Sequence, residues 1–271
     1  MADQINLSSA VRSNLGGLQQ TSRLGARTDE RLGSGQAVNS PIDGAAEFFA
    51  SRALSDRASG LSAAKDGIDQ AISTVQAATN GLDAISDLAE QARGLATAAR
   101  NTSDPDQRAA LQDQFNEVTN QINGIAEDSG FGGTNLVGSS PDDLPIPLNE
   151  DGSSTDTVQG IDSSAAGLGF TTADFSSDAG IDAALGQASA AVDTVRTSSA
   201  TLASNSSALQ TRINFTEDLA NTLEAGAAKL TEADLNEEAA NRLSLQTRQA
   251  LGNNALGLAA QSERAILGLF G

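Results

Sequence analysis

Three groups of residues have types and spacings that chemistry could use. Asp142-Asp143, Glu150-Asp151-Gly152 and Asp156 offer the oxygen ligands that Ca²⁺ takes, but not at the twelve-residue spacing of an EF-hand loop. They read as a solvated acidic loop. Gly130, Gly132 and Gly133 could cradle a phosphate only with a following Gly-Lys-Ser/Thr or within a βαβ unit. Neither is present, and the group reads as a turn. Glu237-Glu238 are paired carboxylates of the kind used in acid–base catalysis, yet they fall in the first turns of a helix, where negative charge favours the dipole. The 271 residues include no His and no Cys. Thiol nucleophiles, Ser-His-Asp triads, disulfides and Cys/His zinc sites are therefore excluded.

The elements that would position any site are helices. Hydrophobic residues make up 39% of the chain but aromatics only 3%, with eight Phe, no Tyr and no Trp. Ala accounts for about one residue in six, and small apolar side chains suit closely packed helices. The length allows one large domain or two modest ones.

The helical signal starts at Leu7, Val11, Leu15 and Leu18 and runs to Leu32, where Gly33, Gly35 and Asn39-Ser40-Pro41 interrupt it. A stronger seam runs from about residue 50 to 100 through Leu61, Ile68, Ile72, Val75, Leu82, Ile85, Leu88, Ala92 and Leu95, at spacings of three, four or seven. Fifty residues at ~1.5 Å each need other long helices alongside. Asp104-Pro105 is an N-cap followed by proline at the first helical position. Leu111, Phe115, Val118, Ile122 and Ile125 follow, and Ser129-Gly130-Phe131-Gly132-Gly133 ends that helix.

Residues 134 to about 180 turn rich in Ser, Thr, Asp and Gly, with Pro141, Pro145 and Pro147. Short strands are expected at 135–137, 157–161 and 167–170. Helix then returns. Ile181, Leu185, Ala188, Val192, Val195, Ser199, Leu202, Ser206, Leu209 and Ile213 step four and three residues apart, continuing to Leu223 and Leu230. A last helix starts near Ala233-Asp234 and carries Leu251, Ala255, Leu258, Ala265 and Leu269.

Charge is uneven. Of 16 basic and 35 acidic residues, none of the basic ones lies between Arg108 and Arg196, where fourteen acids fall. The ends are nearly neutral and the middle is acidic, as expected of a molecule whose ends associate and whose middle faces water. The net charge of −19 argues against nucleic acid or an anionic membrane as partner. No apolar run is long enough to span a bilayer. The N-terminus lacks the basic and apolar regions of a cleavable signal, so none is expected. The apolar seams of the two ends must cover one another, either within an intramolecular bundle or, because an apolar edge is left over, by self-assembly into a polymer.

Several segments resemble the flagellin family. Arg31-Leu32-Gly33-Ser34-Gly35, then Asn39-Ser40, then Asp43-Gly44-Ala45-Ala46 is similar to the flagellin N-terminal signature, Arg-Leu-Ser-Ser-Gly followed by Asn-Ser and Asp-Asp-Ala-Ala. Gly60-Leu61, Asp66-Gly67-Ile68 and Gly132-Gly133-Thr134-Asn135-Leu136 continue the likeness. So do residues 233–238, 246–252 and 265–270, in the alphaproteobacterial style. Pro41-Ile42 and Glu47-Phe48-Phe49 depart from the family pattern.

The resemblance implies a mainly α fold in which long coiled-coil helices from both chain ends pack together, with a small β- and turn-rich outward segment between them. The implied parts are an inner-tube helix (1–35), the first half of a helical wall (36–137), a short variable surface segment (138–180), the second half of the wall (181–234) and a second inner-tube helix (235–271). It implies a structural subunit that polymerises into the bacterial flagellar filament, without enzymatic activity or cofactor. Partners would be other copies, the hook-associated junction and cap proteins, the export apparatus and an export chaperone. A hook–filament junction protein shares the terminal motifs and is the alternative; unaided assembly into long filaments separates the two. The middle segment, about forty residues, implies a slim filament outside the cell. In flagellins seen by the vertebrate flagellin receptor, the stretch matching Gln91, Arg93 and Gly94 carries Arg, Arg and Glu. The resemblance thus implies weak recognition here.

Overall fold

The computed structural model describes residues 9–267. They form α1 (Ser9–Ser34), α2 (Ala45–Arg100), α3 (Pro105–Asp128), β1 (Leu144–Pro147), β2 (Thr155–Val158), α4 (Asp178–Thr231) and α5 (Leu235–Leu267). The chain divides into two compact units. One comprises residues 1–56 and 222–271, the other residues 57–221; α2 and α4 contribute to both.

The 57–221 unit has an apolar core. On α2 the buried positions include Ala58, Leu61, Ala64, Ile68, Ile72, Val75, Ala78, Leu82, Ile85, Ala89, Ala92, Ala96 and Ala99, a three-four repeat in which alanine is as frequent as the larger aliphatics. From α4, Ile181, Ala184, Ala188, Val192, Val195, Leu202, Leu209 and Ile213 join the same cluster. Alanine at facing seams lets helices approach closely with little side-chain entropy to lose. Ion pairs Arg196–Glu90 (3.0 Å), Lys65–Glu217 (3.2 Å) and Arg100–Asp182 set α2 and α4 antiparallel.

The third helix starts where the sequence indicates. Asp104 adopts an extended backbone and accepts from the Asp106 N–H, with Pro105 at the first helical position, so one of the orphan donors of the first turn is satisfied. It ends at Ser129, which packs against Gly81 of α2 so closely that a Cβ at 81 would overlap its hydroxyl. Beyond it, Phe131 and Thr134 exchange backbone hydrogen bonds (2.9 and 3.1 Å) around Gly132 and Gly133. Both glycines have positive φ (60° and 89°), the requirement of a tight hairpin turn of the primed type.

Asn135 then ties the segment down. Its amide donates to the Ala126 and Glu127 carbonyls at the end of α3, and its carbonyl oxygen accepts from the Val137 and Gly138 N–H groups. These bonds satisfy carbonyls that the helix end leaves open.

Residues 134–177 are more deeply packed than their polar composition suggests. Leu136, Val137, Ile146, Val158, Leu168, Phe170 and Phe175 are buried in the main cluster. Phe170 and Phe175 meet Phe115 of α3 edge-to-face at 5.9 and 5.4 Å, a geometry that adds to simple area burial.

The strand expectations need correction. The only paired strands among the described residues are β1 and β2, antiparallel with Leu144 opposite Val158 and Ile146 opposite Asp156. Residues 135–137 form no strand: the Asn135 side chain bridges them, and the Asn135, Leu136 and Val137 carbonyls accept single bonds from the Asp142, Ile161 and Ser163 N–H groups. Residues 167–170 form a turn in which the Leu168 and Phe170 N–H groups donate to Ser164 and Ala165 carbonyls. The expected strand at 157–161 overlaps β2 only at its start. β1 was hidden by Pro145 and Pro147, which disfavour a strand. In a two-stranded ladder alternate residues need donate nothing to the partner, and prolines fit there.

Candidate assembly surface

The other unit contains α1 and α5 packed against each other. Their contacts run antiparallel: the Gln36–Glu232 bridge, Arg31 with Glu238, Asp29 with Arg242, Gly25 beside Arg242, and Leu18 against Gly252. The face of α1 turned inward carries Val11, Leu18, Thr21, Gly25, Thr28 and Leu32, buried or half-buried at three-four spacing. On α5 that face carries Glu238, Arg242, Leu245, Gly252, Leu256 and Ala259.

The seam expected from the sequence therefore splits. Val11 is buried and Leu18 half-buried, but Leu15 is exposed. Leu251, Ala255, Leu258 and Ala265 are exposed as well, so α1 does not cover them. Leu7 and Leu269 lie outside the described residues. The face of α5 turned to α1 mixes the small residues Gly252 and Ala259 with Leu245 and Leu256, while Leu243, Leu251 and Leu258 turn away. Leu243, Leu251 and Leu258 are 63–66% exposed and, at about 100° per residue, fall within about 80° of one another on the side of α5 turned from α1. They form an apolar face that α1 does not cover, and Leu235, 50% exposed, lies off it.

The signature residues build a clasp between the end of α1 and the α4–α5 turn. Gly35, at φ 72°, closes α1 by donating to the Arg31 carbonyl and accepts from Ala233. The Ala37 N–H donates to the Thr231 carbonyl at 2.7 Å. Ser34 Oγ accepts from the Gln36 N–H and the Asn39 amide. Asp43 Oδ2 accepts from both the backbone N–H and the hydroxyl of Ser40 (3.1 and 2.7 Å), and the hydroxyl bond above all holds its carboxyl below the usual range. Ala45 and Ala46 open α2. Leu32 is half-buried.

Sequence reasoning missed the role of Glu238. It is buried and pairs with Arg31 at 2.9 Å, so it holds the coil together besides favouring the helix dipole. Coupling it to Arg31 needed the antiparallel register of α1 and α5.

In the 57–221 unit, Leu61, Ile68, Ile72, Val75, Leu82, Phe115, Val118, Ile122, Val192, Val195, Leu202 and Leu209 are buried, and Leu111 and Leu185 pack partly buried against them. Gln91, Arg93 and Gly94 are exposed on α2. The carboxylates of the acidic middle serve as turn and pairing groups. Asp142 accepts from the Asn135 N–H, Asp143 from Gly160 and Asp151 from Ser153, while Glu150 pairs with Arg57 at 2.8 Å. Among the described residues no group of three or more acids gathers to hold a metal ion, and no helix is long and apolar enough to cross a membrane.

A coil made from the two ends of the chain, with one leucine face uncovered, defines a class of long-helix subunits built to associate. Comparison narrows the class. Residues 5–140 match the bacterial flagellin N-terminal helical region. The flagellins FljM and FljK of Caulobacter vibrioides are each 32% identical over 270 residues, covering 99% of this chain and 98% of the relative. A flagellin of Brucella melitensis is 25% identical over the whole chain and 99% of its own length. A crystal structure of Bacillus cereus flagellin shares the fold over 55% of this chain and 88% of that one, with a TM-score of 0.50 at 22% identity. The chain belongs to the bacterial flagellin family, whose members are structural subunits of the flagellar filament.

Proposed function

We propose that α1 and α5 supply the contacts by which copies polymerise, forming the inner tube of the filament, while α2, α3 and α4 form its wall and part of the 138–180 segment faces outward. The exposed leucine face Leu243, Leu251 and Leu258 carries this reading. At ~25 cal/mol per Å² a face of this size is costly to leave in water, and α1 already occupies the opposite face. The subunit would leave the cell through the flagellar export apparatus, escorted by an export chaperone, and meet junction and cap proteins at the filament ends.

Electron microscopy of purified protein after addition of a polymerising salt tests the reading. Screening reduces the repulsion between copies that each carry −19. Long filaments are expected. Failure of the protein to extend beyond short oligomers under any salt condition overturns the reading and favours the junction role.

The exposed stretch with Gln91 and Gly94 supports weak activation of the vertebrate flagellin receptor, because Gln lacks the planar multi-donor fork of Arg and Gly lacks a carboxylate. In a reporter-cell assay, Gln91→Arg with Gly94→Glu should raise potency. No gain contradicts it.

A further inference from the structure

Between α1 and α5 lies a cleft of about 310 Å³ lined by Arg27, Arg31 and Arg248 together with Thr28, Asn241 and Ser244. The chain has only 16 basic residues against 35 acidic ones, so three guanidiniums on one cleft reverse the charge of the molecule locally. Glu238 is the one acid in the lining, and Arg31 Nη1 already occupies its Oε1. The Nε of Arg31 is buried with no hydrogen-bond partner, a state whose desolvation stays uncompensated until an acceptor arrives. Arg27 and Arg248 form no ion pair among the described residues. Guanidinium forks flanked by hydroxyl and amide donors are the chemistry that takes an oxyanion.

The same unit also carries the complementary group. Glu232, Asp234 and Glu237 are exposed around the start of α5. Asp234 is committed as a cap, accepting from the N–H groups of Asn236 and Glu237. Glu232 and Glu237 form no ion pair among the described residues. One copy thus presents a basic cleft and an acidic projection at different places. Two complementary patches at different places on one copy allow a heterologous contact, in which the cleft of one copy takes the projection of the next and the pairing propagates into an open helical array.

We propose that the Arg27–Arg31–Arg248 cleft receives the Glu232 and Glu237 carboxylates of a second copy, and that this pairing fixes the register in which copies add. It rests on the self-assembly reading above and deepens it: the leucine face supplies apolar area, which specifies position poorly, whereas charge pairs specify it well.

The test is a charge exchange on the full chain, with Arg31 left in place because it holds Glu238. Arg27→Glu with Arg248→Glu reverses the cleft, and Glu232→Arg with Glu237→Arg reverses the projection. The critical concentration for polymerisation is read by sedimentation, and circular dichroism checks helix content. Each variant alone should raise the critical concentration by about tenfold or more, the scale of losing close interfacial charge pairs. An equimolar mixture of the two, or one chain carrying all four changes, should restore it to near the wild-type value. If a Glu variant loses helicity, Arg27→Gln with Arg248→Gln removes the charge while keeping length, and should still raise the critical concentration.

Failure of the wild type itself to polymerise strikes the self-assembly reading and not the cleft. With wild-type filaments in hand, an unchanged critical concentration in the cleft variants overturns the proposal, as does a mixture that stays as defective as its parts. Saturable binding of sulfate or phosphate to wild-type monomer but not to the cleft variants, with no rescue by exchange, also overturns it and assigns the cleft to a free oxyanion.

Discussion

The two units of the chain are stabilised in opposite ways. Residues 57–221 enclose three long helical stretches, a hairpin and an aromatic trio, and the large apolar residues at their seams are buried. In the unit of residues 1–56 and 222–271, α1 and α5 meet through a few half-buried leucines, glycine, threonine, alanine and an arginine–glutamate pair, while four leucines of α5 stay in water. The first holds what a domain needs to fold alone. The second is a two-helix coil with few large residues at its seam, and such a coil is marginal in isolation. On the proposed reading, the contrast locates the assembly energy of this chain in a surface left uncovered, on the unit whose own core is the smaller.

Removing residues 251–271 gives the largest expected separation. It deletes two of the three leucines of the exposed face without touching residues 57–221. Polymerisation should be abolished, while the main thermal transition of the monomer should move little. Filaments formed as readily as by the intact chain would break the comparison.

Phe115→Ala should do the reverse. It empties the centre of the Phe115–Phe170–Phe175 group and should cost about 3–5 kcal/mol of unfolding free energy, measured by urea titration of monomer. A loss under about 1 kcal/mol would mean that the trio adds little to the core.

The smallest effect concerns acid. Asp43 in the clasp has its carboxyl lowered by the Ser40 hydroxyl and backbone bonds. A depressed folded value means that the contribution is present above the unfolded pKa and is lost as pH falls through the folded one. Titration of its carboxyl by NMR should show a midpoint below the ordinary ~3.9, and Ser40→Ala, which removes the largest of the lowering bonds, should raise it toward that value. An ordinary midpoint in the wild type contradicts the bond.

What could be read from the sequence depended on how local its cause was. Asp104-Pro105 and the Gly132-Gly133 pair fix a helix start and a turn with chemistry contained in four residues, and α3 followed from them. The aliphatic positions of α2 and α4 marked their buried faces because period alone suffices. The face of α5 that meets α1 was less legible, because leucines lie on both sides of the helix: Leu245 and Leu256 join Gly252 and Ala259 there, and Leu251 and Leu258 stay outside. The pairing of Arg31 with Glu238 and the burial of Phe170 and Phe175 depend on partners 207 and about 60 residues away. No window of sequence contains those.

Hydrogen exchange on monomer and on filament tests the central claim most directly, since it reads local stability along the whole chain. Amides of α1 and α5 should exchange rapidly in verified monomer and become strongly protected in filament, while α2 and α4 residues within 57–221 are protected in both states. Protection of α1 and α5 in the monomer equal to that of α2 would contradict the account, because the coil would then be complete without a second copy.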